Sequence, residues 1–254
     1  MISKIKSENT YKLFYIFLFF LFWHILSFQL SNSFFPGPLP TFNSLLQLLS
    51  SEDAVSNFLI TFSRVYESLL LSFVVGLTLG VLAVWNKQIG YAVNSVIHPI
   101  LQAVPDVSWS FIILVTLGLS HWSPIIIVSI VLVPYVMINV FEGMKELDEQ
   151  LVELGRSFTD DKIRIFRRIH LPLLYPHIFS ALRRSHAVAW NVVLVAEIIA
   201  ATDGIGRMLM VASNYYDIPT VLAWTSILVI VVAVFEYGIF EYIDRKTMRR
   251  WKHY

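Results

Sequence analysis

Six long apolar blocks, separated by polar stretches, dominate the chain. Each block reaches roughly the 20 residues that an α-helix needs to cross the hydrocarbon core of a bilayer, and the third is clearly longer. A helix also satisfies its own backbone hydrogen bonds, which hydrocarbon cannot do. The pattern therefore predicts an all-α membrane protein with six transmembrane helices. The predicted spans cover residues 12–30, 59–85, 89–119, 123–141, 175–201 and 221–242.

The first block is predicted to be an uncleaved span. It is longer than the apolar region of a signal peptide, and residues 31–33 form a poor cleavage site. Pro36, Pro38 and Pro40 follow, and they predict an extended connection towards the second span. Near the other end of the chain, residues 202–218 are predicted to form a short polar loop.

Prolines interrupt the third and fourth blocks. Pro99 and Pro105 are predicted to break the third block, because a proline removes a backbone donor and the freed carbonyl needs another partner inside a membrane. Pro134 lies inside the fourth block. Broken helices at membrane depth often line a path or cavity. In the second block, Gly76 and Gly80 have the spacing of small residues that lets two helices approach closely.

One long polar segment, residues 146–172, separates the fourth and fifth blocks. An apolar stripe at helical spacing predicts a short amphipathic helix in its first half. Thr159 and Asp160 are expected to cap a second short helix, which Leu171-Pro172 would end. Two such helices would form a rigid element facing water, but a solvated helix on the membrane surface fits the pattern equally well. The stripe consists of Leu147, Leu151, Leu154 and Phe158.

Composition and charge place the chain in a membrane and orient it. Charged residues make up 15% of the chain and hydrophobic residues 56%, whereas soluble domains are about 25% charged. The absence of cysteine excludes disulfides and thiolate metal sites. With six spans and the N-terminus inside, 17 of the 19 Lys and Arg residues fall on the inner side, leaving Arg207 outside and Arg64 in or near the second span. Both termini and residues 146–172 are therefore predicted to be cytoplasmic.

The sequence contains no recognisable motif of an enzyme or of a nucleotide site. It lacks His-Glu-x-x-His, Gly-x-Ser-x-Gly and a phosphate-binding glycine loop. The spacing of His170, His177 and His186 does not bring them to one helix face, which disfavours a metal site. The chain is expected to be no enzyme and to hold no cofactor, so uphill transport would need ATP hydrolysis by a partner subunit.

Polar groups inside the predicted spans are costly in hydrocarbon and are the candidate residues of a translocation path. His186, Trp190 and Glu197 fall within about 40° of one another on the fifth span. Two interpretations of Glu197 are open. It either pairs with a partner across the helix bundle or dimer interface, which we favour, or it lines or gates the path.

Asp106 and Arg64 point to opposite substrate charges. Asp106 follows Pro105 and is close to Trp109, and a buried acid there would favour cations or hydrogen-bonding heterocycles over anions. Arg64 would favour anions, unless it pairs with Glu67 or extends to the outer interface. Arg64, Asp106 and Trp109 complete the candidate path residues.

The polar segment resembles the cytoplasmic loop of bacterial ABC-importer permeases. That loop has the pattern Glu-Ala-Ala, three residues, Gly, nine residues and Ile-x-Leu-Pro. Leu154 and Thr159 depart from it, and Thr159 replaces a glycine that permits a turn with positive φ. The stretch VAEIIAATDGIG around Glu197 resembles permeases for nitrate, sulfonates, taurine and bicarbonate, and the resemblance covers about residues 61–240. The loop residues that match are Glu153, Ile169, Leu171 and Pro172.

The resemblance implies a permease subunit of an ATP-driven importer for a small polar solute. The solute would be like a sulfonate, taurine or nitrate, or a cationic or heterocyclic nutrient such as a thiamine precursor. The implied partners are two ABC ATPase subunits, a second permease copy, an extracytoplasmic binding protein and the lipid bilayer of the bacterial inner membrane, with no nucleic acid. The residues implied to couple to the ATPase are Glu153, Leu154, Gly155, Arg156, Phe158, Thr159, Leu171 and Pro172.

The implied organisation has three parts. Residues 1–57 hold a cytoplasmic head, the first span and an extracytoplasmic connection. Residues 58–245 form a permease core of five spans, with the cytoplasmic coupling-helix loop 143–172 between spans four and five, and residues 246–254 form a basic cytoplasmic tail. Two other classes stay open, a secondary transporter without an ATPase and a non-transporting membrane assembly factor.

Overall fold

The computed structural model describes residues 2–30, 35–146, 153–154, 157–159 and 161–251. Within these ranges the regular structure is helical, without strands, and the predicted all-α class is confirmed. The helices are α1 (Ile2–Gln29), α2 (Pro38–Leu49), α3 (Glu52–Trp85), α4 (Lys87–Ala103), α5 (Asp106–Leu117), α6 (Trp122–Lys145), α7 (Ile163–Ala200), α8 (Ile205–Asn214) and α9 (Ile218–Lys246, continuing to Trp251). Three of them contain a π-helical turn, Val93–Ile97 in α4, Phe166–His170 in α7 and Val234–Phe240 in α9.

Helices α3, α6 and α9 are each long and apolar enough to cross a membrane. Two further pairs meet the same test together but are bent, α4 with α5 by 84° and α7 with α8 by 59°. Counting each pair as one span gives up to five among the described residues. The apolar part of α1, Phe14–Gln29, is shorter than these spans. Membrane-spanning helices are thus confirmed, while the number six stays a prediction.

The chain divides into two compact units. The first consists of residues 1–56 and 208–230. Within it, the indole of Trp23 donates a hydrogen bond to the carbonyl of Pro36 at 3.0 Å. The first unit also holds an apolar cavity of about 660 Å³ that is lined by α1, α2 and the first part of α9. The second unit consists of residues 57–207 and 231–254.

Helices α3, α6 and α7 form the core of the second unit. A Cβ atom added to Gly76 would lie 2.7 Å from the Cβ of Val136, and one added to Gly80 would lie 2.8 Å from the carbonyl oxygen of Met137. Leu174 of α7 packs into the same apolar cluster as Val136. The close helix approach predicted from the two glycines is therefore confirmed, and it joins α3 to α6.

Pro105 breaks the third apolar block, but Pro99 does not. Val104 has extended backbone angles (φ −80°, ψ 120°), and α4 and α5 meet there at 84°. At Pro99 the helix continues, because the π turn Val93–Ile97 precedes it. In a π turn each N–H bonds to the carbonyl five residues earlier, so the N–H of His98 donates to the carbonyl of Val93. The break predicted at Pro99 is wrong. Pro134 lies inside the continuous helix α6.

Two connections contain more helix than the sequence predicted. Pro38 and Pro40 lie in the first turn of α2, where backbone N–H groups have no partner within the helix, so a proline costs no hydrogen bond there. The extended connection therefore ends at Gly37. Residues 202–218 are not a simple polar loop, since they contain α8. This helix is amphipathic, with an apolar face that includes the buried Ile205. Its polar residues made the segment resemble a loop in the sequence.

Helix α7 is longer than the fifth apolar block. The short helix Lys162–Ile165 does not end at Leu171-Pro172, as predicted, but continues through the π turn Phe166–His170 into Leu171–Ala200. Pro172 lies in the first turn of that last stretch. The π turn before it shifts the ladder by one residue, which accommodates the missing donor. One rod therefore runs from the polar segment to Ala200.

Candidate functional site

A buried ion pair joins α3 and α7. Nη1 of Arg64 donates to Oε1 of Glu197 at 2.9 Å, and the exposed fractions of the two side chains are 1% and 0%. The Arg64 guanidinium also donates to the carbonyl oxygen of Asp203 at 3.0 Å and forms an ion pair with the Asp203 carboxylate. Asp203 is 45% exposed, so the cluster reaches the surface there. The structure thus gives Glu197 the partner across the bundle that the sequence favoured.

Three donors surround the Glu197 carboxylate, which are Nη1 of Arg64, the hydroxyl of Thr61 and the backbone N–H of Gly206. Oγ1 of Thr61 lies 2.9 Å from Oε2 and 3.0 Å from Oε1, and the backbone N–H of Gly206 donates to Oε2 at 2.9 Å. A buried charge is tolerated only when it is paired and hydrogen-bonded, and Glu197 meets both conditions. In this conformation its partners all lie within the protein.

The turn after α7 wraps around the Glu197 carboxylate. Gly204 has φ +96°, and a Cβ atom there would lie 2.3 Å from Oε1 of Glu197. At Gly206 a Cβ atom would lie 2.7 Å from the Cβ of Glu197. The backbone N–H groups of Gly204 and Ile205 donate to Asn57 and Thr61 at 2.7 and 2.8 Å. The two glycines in ATDGIG are therefore required by close approach to the acid.

Sequence reasoning missed most of the residues that support the ion pair. Arg64 belongs to a stripe of buried polar residues along α3 at intervals of four, three, four and four positions, which is the helical period. Such a stripe inside an apolar span was a detectable signal, because each of its members is costly in hydrocarbon. The stripe consists of Asn57, Thr61, Arg64, Ser68 and Ser72.

A second cluster of α3, α7 and α9 surrounds His186. Nε1 of Trp190 donates to Nε2 of His186 at 3.2 Å, and the hydroxyl of Tyr66 lies 3.3 Å from the same nitrogen. The rings of Phe235 and His186 are 4.8 Å apart. His186 and Trp190 are 2% and 1% exposed. Both residues are packed within the protein rather than along an open path. Among the described residues no group of three or more His, Asp or Glu side chains is placed to hold a metal ion.

Asp106 and Trp109 lie apart from these two clusters. Asp106 is exposed in the first turn of α5, directly after the bend at Pro105. The expectation of a buried acid is therefore wrong, because the helix break places Asp106 at a helix end, where a negative charge is favourable. Trp109 is half-buried, and its indole N–H has no hydrogen-bond partner among the described residues. Glu67 does not pair with Arg64 but lies 3.7 Å from His121.

The described part of the polar segment presents apolar side chains to the surface. Leu154 is 56% exposed and Phe158 is 82% exposed. Glu153 and Pro172 are exposed as well, Thr159 is half-buried, and Leu171 is 40% exposed. Residues 147–152, 155, 156 and 160 of the segment lie outside the described residues, and these include Leu147 and Leu151 of the predicted stripe and the predicted coupling residues Gly155 and Arg156. Large exposed apolar side chains in a polar segment are typical of a surface that contacts another protein or the membrane.

The cap of the second short helix is Asp161, one residue beyond the pair that the sequence predicted. Its Oδ1 accepts from the backbone N–H groups of Ile163 and Arg164 at 2.9 and 3.2 Å. Oγ1 of Thr159 accepts from the N–H of Asp161 at 3.2 Å, so it stabilises the turn before the cap. Asp160 lies outside the described residues. The capped start itself is as expected, because a short acid satisfies the free N–H groups of a helix.

Comparison with known proteins finds one family model over most of the chain. The model described as "Binding-protein-dependent transport system inner membrane component" matches residues 72–249. The match covers α4, α5, α6, α7 and α8 completely and α9 as far as residue 249.

Curated relatives and a solved structure agree with this match. The putative aliphatic sulfonates transport permease protein of Bacillus subtilis (strain 168) is 24% identical over 88% of this chain and 80% of its own. The formylaminopyrimidine transport permease protein of Halalkalibacterium halodurans is 26% identical over 64% of this chain and 65% of its own. The inward-facing MetNI methionine ABC transporter has a TM-score of 0.67 at 20% identity, covering 76% of this chain and 94% of that chain, and shows a shared fold.

Proposed function

Because the chain belongs to the family of inner-membrane components of binding-protein-dependent transport systems, which are ABC-importer permeases, we propose that it forms the translocation path for a small polar solute. An ATPase subunit on the cytoplasmic side would hydrolyse ATP, and an extracytoplasmic binding protein would deliver the solute. A second copy of the chain would complete the path.

The proposed topology has six spans with both termini in the cytoplasm. It counts α1 as the first span and each bent helix pair as one span. The distribution of positive charge supports it, because 17 of the 19 Lys and Arg residues then lie on the inner side. The polar segment that carries Leu154 and Phe158 would then face the cytoplasm.

The observation that carries the proposal is the continuous rod of α7. It begins at the polar segment, passes through the π turn Phe166–His170, and near its other end holds Glu197 in the buried pair with Arg64. A force applied to the polar segment would move this rod and, through the ion pair, α3. Rigid-body motion of helices about a central site is how alternating access is produced.

The ATPase would dock on the exposed apolar side chains of Leu154 and Phe158. An apolar helix face seated in a groove, with charged residues at its rim, is a common mode of protein recognition. Glu153 is exposed beside Leu154 and supplies a charge at that rim. Gly155, Arg156, Thr159, Leu171 and Pro172 belong to the same proposed coupling loop, by resemblance to the family pattern.

The relatives and the pairing of Arg64 both bear on the substrate class. The relatives carry sulfonates in one case and a formylaminopyrimidine in another. Arg64 is occupied by two carboxylates, so it is not free to hold an anion in this conformation. Asp106 is exposed at the start of α5, so it is not a buried acid that would select a cation. Because Arg64 is not free for an anion, we favour a hydrogen-bonding heterocyclic nutrient over a simple anion.

Purification of the chain from native membranes in mild detergent, with mass spectrometry of the proteins that accompany it, tests the proposal. A P-loop ATPase should co-purify with the natural chain. It should be lost from the variant with Glu153→Lys and Leu154→Asp, which reverses one charge and removes one apolar contact. Absence of any ATPase under mild conditions would contradict the proposal and favour a secondary transporter.

A further inference from the structure

We infer that the second unit holds a binding site for the phosphate of an anionic phospholipid, in the cavity lined by Lys87 and Lys145. The cavity has a volume of about 350 Å³ and lies between the end of α3, the start of α4 and the end of α6. This volume falls within the roughly 300–1,000 Å³ of small-ligand sites. The inference rests on the proposed topology, which places these three helix ends on the cytoplasmic side.

The cavity wall has an apolar part and a polar part. An amphipathic ligand fits such a wall, because phosphate oxygens accept hydrogen bonds while a glycerol or acyl stem packs on apolar side chains. The apolar part consists of Ala83, Val84 and Phe141, beside the backbone of Gly90. The polar part consists of Lys87, Tyr91, Asn94, Ser95 and Lys145, all of which have groups that donate hydrogen bonds.

The two lysines bring positive charge to the cavity without an acidic partner. Neither forms an ion pair with a carboxylate among the described residues, and no acid lines the cavity. Glu146, the residue after Lys145, lies 3.7 Å from His177 instead. Two like charges at one small cavity repel each other, and a bound anion would offset that repulsion.

The two lysines lie in different electrostatic surroundings. Nζ of Lys145 lies 4.4 Å from the ring centroid of Phe141, which itself lines the cavity. The ring and the C-terminal end of α6 both favour a cation there, so they hold the ammonium at the cavity. Lys87 is the first residue of α4, at the positive end of the helix dipole. Helix stability does not account for its charge, which a bound anion would offset.

Aromatic side chains place the cavity at the level of lipid headgroups. Tyr91 of α4 lines it, and Trp85 of α3 directly follows the lining residue Val84; they are 71% and 56% exposed. Exposed Trp and Tyr concentrate at the membrane–water interface. Basic pockets between spans on the cytoplasmic side bind anionic headgroups. A lipid phosphate therefore fits better than a soluble anion, which would not use the apolar wall.

Native mass spectrometry of the purified full chain in detergent tests the inference. The probes are dioleoyl phosphatidylglycerol, dioleoyl phosphatidylcholine and inorganic phosphate. The natural chain should retain phosphatidylglycerol over phosphatidylcholine. The double variant Lys87→Gln with Lys145→Gln should weaken phosphatidylglycerol binding about thirtyfold, from roughly 1 kcal/mol for each lysine near an anionic surface. Lys246→Gln is the matched control, because Lys246 also lies near an aromatic ring, that of Tyr242 at 6.0 Å, but does not line the cavity.

Three outcomes would overturn the inference. The first is equal phosphatidylglycerol binding by the double variant and the Lys246→Gln control, with both variants unfolding at the temperature of the natural chain. The second is displacement of the lipid by millimolar inorganic phosphate, which would make the ligand a soluble anion. The third is loss of a co-purifying ATPase from the double variant with unchanged lipid binding, which would make the lysines a protein contact.

The same experiment separates this inference from the proposed function. Lipid retention is measured on the chain alone and needs neither an ATPase nor transport. If the double variant binds lipid like the natural chain while an ATPase co-purifies with both, only the lipid site is contradicted. If no ATPase is found but the lipid site behaves as expected, only the proposed function is contradicted.

Discussion

Arg64 and Glu197, which are 133 residues apart in the chain, meet at 2.9 Å in an environment that leaves neither side chain more than 1% exposed. The pair fastens the end of α7 to α3. A buried ion pair is costly to form, so its strength depends on how completely the surrounding groups satisfy it. Here the Thr61 hydroxyl and the Gly206 N–H donate hydrogen bonds to the Glu197 carboxylate, and Nη2 of Arg64 forms an ion pair with Asp203.

Removing one member of the pair should destabilise the protein strongly. In Glu197→Ala the guanidinium of Arg64 stays buried and loses its main counter-charge, for which we expect a loss of about 3–5 kcal/mol in the free energy of unfolding. The measurement is the unfolding midpoint in mild detergent. The control is Glu67→Ala, which removes a half-exposed acid 3.7 Å from His121 and should cost at most about 1 kcal/mol. Equal midpoints for the two variants would contradict the structure of the cluster.

Removing both members together should be milder than removing one. Nε of Arg64 is buried without a hydrogen-bond partner among the described residues, so the natural pair is itself incompletely satisfied. Replacing a buried pair by apolar residues of similar volume is often close to neutral. The double variant Arg64→Met with Glu197→Leu should therefore recover most of the stability that Glu197→Ala loses. A double variant less stable than Glu197→Ala would show that Asp203 and Thr61 depend on the charges.

Gly204→Ala should displace the carboxylate of Glu197. The added Cβ atom would lie 2.3 Å from Oε1, and the backbone has φ +96°, so the substitution combines a clash with backbone strain. Gly118→Ala is a matched control, because Gly118 has φ +72° but nothing within 4 Å of an added Cβ atom. It should lose only the roughly 1–3 kcal/mol of a backbone conformation that is essentially restricted to glycine, since its ψ is −167°. The unfolding midpoint of Gly204→Ala should lie clearly below that of the control. Equal midpoints would contradict the close approach of Gly204 to the Glu197 carboxylate.

A second ion pair should contribute modestly to the contact between α7 and the last part of α9. Nε of Arg183 donates to Oε1 of Glu236 at 2.7 Å, and its Nη1 lies 3.9 Å from Asp244. These side chains are 30–40% exposed, so we expect Arg183→Ala to cost about 1 kcal/mol. Arg245→Ala, which removes an exposed pair with Glu241 one helical turn away, should cost about 0.3–0.5 kcal/mol. The same detergent unfolding assay ranks the two, and the reverse order would contradict the interhelical contact.

The sequence predicted the fold class and the charged pair of the site because both follow from the free-energy cost of placing polar groups in the hydrocarbon core of a bilayer. Long apolar blocks predict helices, and a charged residue inside such a block must find a partner, which is why Arg64 and Glu197 were identified. The four-residue spacing of His186 and Trp190 likewise places them together, and their hydrogen bond is present. Periodicity and burial cost were sufficient for these residues.

The remaining features depend on tertiary context that a single sequence does not contain. The sequence does not distinguish Thr61 from other hydroxyl residues, because its role depends on contact with the turn after α7. The helix continues through Pro99 and Pro172 because π turns precede them, and a π turn has no clear sequence signal. The exposure of Asp106 followed from which of two prolines breaks the helix. Each difference arose where a backbone adjustment decided the outcome.

Cysteine cross-linking from the polar segment tests the central claim, that this segment docks an ATPase. The chain contains no cysteine, so Leu154→Cys introduces a unique thiol without further changes. In native membranes, a short thiol–amine cross-linker should join this variant to a P-loop ATPase. Tyr215→Cys, at a position 81% exposed in the loop after α8, should give no such product. Absence of an ATPase adduct from Leu154→Cys, or equal yields from both positions, would contradict the account.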